Sequence, residues 1–119
     1  MGWRNPDDVT EFEVHAISYL KLKDTYKNVR GEYHFKKDGK QAARFDIVIL
    51  NDNKEIEVVI EVKAKHTNKS DYQQYKYGRL TGKPVLYIRG LKQAEDSVSM
   101  VRQVMAQMHL LELDNSLRK

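Results

Sequence analysis

The chain predicts an α/β (α+β) domain of αβββαβ order: a mixed central sheet flanked by helices, with an extra helix at the C-terminus. Three observations carry this. Two apolar runs of strand length, 45–50 and 56–62, are joined by Asn51-Asp52-Asn53-Lys54-Glu55, whose Asn/Asp chemistry tolerates left-handed backbone and closes a hairpin. An Asp38-Gly39 pair, a strong hairpin cue, joins the first of these runs to another strand-like segment upstream. A helical stretch then separates 56–62 from a short apolar run at 85–88, and a helical crossover returns the chain parallel to the strand before it.

Residues 1–9 carry Trp3 and Pro6 and read as a short irregular lead. Thr10 is the expected N-cap of a helix over about 10–23, with Glu11 and Glu13 in the first turn, where the helix dipole favours carboxylates, and Glu13 at the capping-box position. Phe12, Ala16, Tyr19, Leu20 and Lys23 follow its period. Residues 29–35 read as the first strand, with Glu32 and His34 on one face and Tyr33 and Phe35 on the other. Ile47, Val48, Ile49 and Leu50 form a continuous apolar block, as expected of a strand covered on both sides.

Within this apolar hairpin, Asp46 opens one strand and Glu61 and Lys63 close the other. Side chains alternate faces with period two, so Glu61 and Lys63 point the same way, and an antiparallel partner can bring Asp46 beside them. Ionisable groups in a sheet are costly unless they pair or bind a metal. A cross-strand salt bridge and a metal site are the two accounts open at this point.

After Lys65, the polar segment 66–69 leads to Ser70 and Asp71, the expected cap of a helix running to about Leu80. Gln73 and Tyr77, four apart, share one of its faces. Thr81-Gly82-Lys83-Pro84 ends it, and residues 85–88 form the last strand. A final helix over about 94–113 carries two apolar stripes, Val98/Val101/Met105/Met108 and Met100/Val104/Leu111. Two stripes exceed what one sheet face needs, which suggests a homodimer through this helix; full burial within the monomer is the alternative. Residues 115–119 read as a frayed basic tail.

Asp46, the second hairpin strand and then Glu61-Val62-Lys63 resemble the D…(D/E)xK signature of the PD-(D/E)XK nuclease superfamily, with Phe45 where that family has Pro. Gln73 and Tyr77 resemble the Gln-x-x-x-Tyr motif of the nuclease domains of type I restriction enzyme motor subunits and of RecB-like nucleases. Residues 10–90 are similar to the type I N-terminal nuclease domain. The resemblance implies a restriction-endonuclease-like core and a magnesium-dependent endonuclease, a DNA-binding hydrolase. Asp46, Glu61 and the backbone carbonyl of Val62 would hold Mg²⁺ or Mn²⁺, and Lys63 would orient the attacking water. Gln73 and Tyr77 would position the scissile strand, with Lys65 and Lys69 on phosphates. A Glu from the first helix, Glu13 with Glu11 behind it, and the recurrent Glu at the position of Glu32 would be further site members.

With 119 residues the chain is read as one domain, too short for a separate target-recognition or motor unit. The absence of Cys excludes disulfides and thiolate chemistry, and the four His include no pair at i, i+4 spacing for a histidine metal site. No apolar run reaches the ~20 residues of a membrane span and the N-terminus lacks a signal-peptide core, so a cytoplasmic address is expected. The net charge of +4 and pI near 9.2 permit phosphate binding. Basic clusters lie at Lys21/Lys23/Lys27/Arg30, Lys36/Lys37/Lys40/Arg44 and Lys63/Lys65/His66/Lys69, where solvated loop and strand-end lysines are the simpler account of the first two. The rival readings are a catalytically inactive nuclease-fold module that binds DNA, and a small protein-interaction domain whose charged trio is a structural ion pair.

Overall fold

A computed structural model describes residues 10–64 and 68–117, with the side chains of 68–71 not included. Helix α1 (Glu11–Thr25) is followed by strands β1 (Val29–Lys37), β2 (Lys40–Leu50) and β3 (Ile56–Lys63), helix α2 (Asn68–Thr81), strand β4 (Val85–Arg89), the short helix α3 (Gly90–Glu95) and helix α4 (Ser97–Leu117). The four strands form one mixed sheet in the order β1-β2-β3-β4. The first two pairings are antiparallel and β4 lies parallel to β3, as the helical crossover requires. Among the described residues no helix is long and apolar enough to cross a membrane.

Local chemistry accounts for the element ends. Thr10 and Glu13 form a reciprocal capping box: the Thr10 hydroxyl accepts from the Glu13 N–H and the Glu13 carboxylate accepts from the Thr10 N–H. We expect Thr10→Ala to cost about 1 kcal/mol in urea unfolding. In the β1–β2 turn Asp38 and Gly39 both take positive φ, 55° and 78°, the pair of left-handed conformations a two-residue hairpin of this type needs. In the β2–β3 loop the Asn51 side chain accepts from the N–H groups of Asn53 and Glu55, while Asn28 donates to the Asn51 carbonyl and accepts from Lys54.

Helices cover both sides of the sheet, so β2 and β3 bury both faces. On one side Ile47, Ile49, Val58, Ile60 and Val62 pack with Val14 and Leu22 of α1, Ala94 of α3 and Val101 of α4. On the other, Phe45, Val48, Val59, Val85 and Tyr87 pack with Tyr77 of α2.

Several boundaries differ from the sequence reading: β2 begins at Lys40 rather than at 45, and the last helix runs to Leu117, into the segment read as a frayed tail. Helix α2 starts at Asn68, so Ser70 and Asp71 lie inside its first turn and do not cap it. The single C-terminal helix is two, broken at Asp96, which turns out of helical geometry at the end of α3. Val101 is buried and Val98, Val104 and Met105 pack against the core, but Leu110, Leu111, Leu113 and Leu117 are exposed. Leu111, at the end of the second stripe, is 56% exposed, so the two apolar stripes are not both buried within the monomer.

Candidate metal and phosphodiester site

The β2–β3 ladder runs from Leu50↔Ile56 to Ile47↔Ile60 and stops there. One residue further on, side chains replace the ladder. The Asp46 N–H donates to Glu61 Oε1 at 3.3 Å, and the Val62 N–H donates to Asp46 Oδ2 at 2.9 Å. The two carboxyl groups therefore face each other at the frayed end of the hairpin, each tied to the other strand's backbone.

A break in strand alternation aims Asp46. By period two, Phe45 and Ile47 should share a face, yet Ile47 packs under α1 while Phe45 packs under α2. Opposite Asp46 on β1, Glu32 has a positive φ of 48°, and across it Gly31 faces α1 while Tyr33 packs with Phe45. Both strands change face at this step, which turns the Asp46 side chain toward β3. His15 of α1 holds the step in place. Its Nε2 lies 3.0 Å from the Asp46 carbonyl oxygen, which can only accept, so that nitrogen carries the proton and donates.

Glu61 is 3% exposed. Burial first, then the hydrogen bond and negative charge of Asp46, push its carboxyl from 4.5 up to about 9, with the Lys63 ammonium pulling weakly the other way. Without a cation this carboxyl holds its proton near neutral pH. Lys63, half-buried, follows two residues on along the same face.

The parallel register sets Tyr87 of β4 beside Glu61 and Arg89 beside Lys63. The Tyr87 hydroxyl donates to Gln73 Oε1 at 2.6 Å, and Gln73 Nε2 donates to the Tyr77 hydroxyl at 3.2 Å. Burial, then the Glu61 charge, raise the pKa of both phenols, so both remain hydrogen-bond donors. The neighbouring Gln74 Nε2 donates to the Val85 carbonyl at 2.7 Å and pins α2 to the sheet. We expect Tyr87→Phe, which leaves the Gln73 carbonyl without this donor, to lower stability by about 1 kcal/mol in urea unfolding.

Asp46, Glu61, Lys63, Gln73 and Tyr77 thus come together. Glu13 does not join a wider carboxylate set: it serves the capping box, and among the described residues no group of three or more His, Cys, Asp or Glu is placed to hold a metal. Glu11 is exposed. Glu32 turns the other way, to Arg44 at 3.0 Å and His15 at 3.9 Å, so it is a structural ion-pair partner. Lys65 and the Lys69 side chain, expected on phosphates, lie outside the described residues.

No family model, curated protein or solved structure matches the chain. The functional reading therefore rests on this geometry and on the sequence motifs.

Sequence reasoning missed His15, Tyr87 and Arg89 as members of the site. Tyr87 left one signal, a phenol in the otherwise apolar run Val85-Leu86-Tyr87-Ile88. His15 left none, because its role is to hold a carbonyl that is 31 positions away.

Proposed function

We propose that this protein is a metal-dependent nuclease of restriction-endonuclease-like fold that hydrolyses DNA phosphodiester bonds. The observation that carries the reading is the reciprocal pairing of Asp46 and Glu61 across the end of the hairpin, with Lys63 on the same face. Two adjacent carboxylates, one of them buried and resisting ionisation, are an unfavourable arrangement that a hard dication relieves. Their oxygens with the Val62 carbonyl would hold Mg²⁺ or Mn²⁺, hard cations that take oxygen ligands, and Mg²⁺ is commonly bound through only one or two protein carboxylates. When bound, such an ion polarises the phosphoryl oxygen and lowers the pKa of a bound water.

The chain's own groups do the rest. Lys63 offers an ammonium that orients the attacking water and offsets charge developing on the phosphorane oxygens. Gln73, its amide held by Tyr87 and Tyr77, presents a fixed donor edge to the strand to be cut. Arg89, whose guanidinium lies 4.8 Å over the Tyr87 ring, adds a second cation at the strand ends. The exposed leucines of α4 would let two copies pair and present two sites, one for each strand of a duplex.

The test is cleavage of plasmid and linear DNA with and without Mg²⁺ or Mn²⁺, beside the Lys63→Ala protein. Metal-dependent cutting that disappears in the variant is expected. Salt-sensitive DNA binding without cutting would favour the inactive module.

A further inference from the structure

We infer that the projecting half of the β1–β2 hairpin is an arm that engages double-stranded DNA beside the cleavage centre. This rests on the nuclease reading of the site and names the substrate as duplex. The β2–β3 ladder ends at Ile47, and β1 is at the edge of the sheet, so among the described residues the segments 33–37 and 40–45 pair only with each other and leave the sheet as a two-stranded ribbon. Asp46 stands at its foot.

The charge of the ribbon is one-sided. Residues 33–44 hold Lys36, Lys37, Lys40 and Arg44 against Asp38 alone, in a chain whose net charge is only +4. Arg44 is paired with Glu32, but none of the ion pairs among the described residues takes up Lys36, Lys37 or Lys40, and all three are exposed. Lysines on an edge also discourage strand pairing, and solubility alone would explain one or two of them. It does not explain why the base of the ribbon is also anchored beside the site. Phe35 packs against Phe45 with the rings tilted by 36° and 5.6 Å apart, and Phe45 meets Tyr77 edge-on at 4.9 Å, anchoring the base of the ribbon to the helix that carries Gln73. On its other face His34 Nδ1 and Gln41 Oε1 pair across the strands at 2.9 Å.

A two-stranded ribbon fits the B-form major groove, about 12 Å wide, and its cations can reach the flanking phosphates. Lys40 is six residues beyond Asp46, or about 20 Å at ~3.3 Å per residue, the length of about six base pairs. The arm therefore spans about half a turn of duplex to one side of the phosphate at Asp46 and Glu61. A-form RNA, whose major groove is deep and narrow, does not admit it.

The test is anisotropy titration in EDTA, where no cutting occurs, comparing the wild type with the Lys36→Ala/Lys37→Ala/Lys40→Ala protein. The probes are a two-turn DNA duplex, one of its strands, the RNA duplex of the same sequence and poly-glutamate. Loss of three phosphate contacts should weaken DNA-duplex binding at least about tenfold and reduce the slope of log K against log salt by about 3, with single-strand binding nearly unchanged. An unchanged duplex slope, a wild type that does not bind duplex, or equal wild-type binding to RNA duplex or poly-glutamate would overturn the arm, the last pointing to an acidic protein partner. Failure of the nuclease reading is seen separately: arm-dependent duplex binding with no cleavage in Mg²⁺ or Mn²⁺ removes the reaction and leaves the arm. Cleavage that the triple variant performs undiminished, with unchanged duplex binding, removes the arm and leaves the reaction.

Discussion

Lys63→Ala is expected to reduce metal-dependent DNA cleavage by about 10²–10⁴-fold, and Asp46→Asn by at least as much, with little change in unfolding midpoint. Lys63 is half-buried at a strand end, so truncating its side chain opens no core cavity. The choice of Asn at position 46 follows from the structure. Alanine would leave the Val62 N–H without its acceptor, at a cost of about 1–3 kcal/mol, and would confuse lost folding with lost chemistry. Asparagine keeps a carbonyl oxygen for that bond and removes only the charge a cation requires. Initial rates on supercoiled plasmid, with circular dichroism to verify folding, make the measurement. Wild-type rates in either variant would sink the assignment.

Glu61→Gln should show the opposite signs for stability and for activity. In the metal-free native state Glu61 keeps its proton up to about pH 9, whereas in the unfolded chain it ionises near the ordinary 4.5. Between those limits the unfolded chain binds fewer protons, so stability is full below about pH 4.5 and is lost as pH rises toward 9. The slope from this one group approaches about 1.4 kcal/mol per pH unit. Glutamine retains an oxygen for the Asp46 N–H and adds an N–H₂ for the Asp46 carboxylate, with nothing to ionise. Urea unfolding in EDTA at pH 5, 7 and 9 should therefore show wild-type stability falling more steeply than that of Glu61→Gln, with the variant the more stable at high pH. Added Mg²⁺ or Mn²⁺ should restore the wild type alone, while the variant loses cleavage. Parallel pH profiles for the two proteins would mean that Glu61 is not held protonated. A site that is less stable than its neutral replacement is the expected mark of groups retained for function.

How much was legible in the sequence follows from how local each signal is. Hairpin turns, the capping box, two-sided burial of Ile47, Val48, Ile49 and Leu50, and the parallel return of β4 were all readable, because each depends on a few neighbouring residues and on strand periodicity. The positions of Asp46, Glu61, Lys63, Gln73 and Tyr77 were readable as motif spacings, and strand pairing made the approach of Asp46 to Glu61 an expectation. The bonds that hold them there were not readable.

The sequence by itself determined the order of elements and the kinds of side chain available at the hairpin's end. Only the tertiary structure decided which of them converge: it turned Asp46 toward β3 through the face change at Glu32, gave Glu13 to a helix cap and Glu32 to Arg44, and brought His15 and Tyr87 in from other elements. The reason is physical. Period-two alternation fixes faces only while a ladder continues, and where β2 and β3 part at Ile47 and Ile60 the orientation of the next side chains is set by hydrogen bonds to groups distant in the chain.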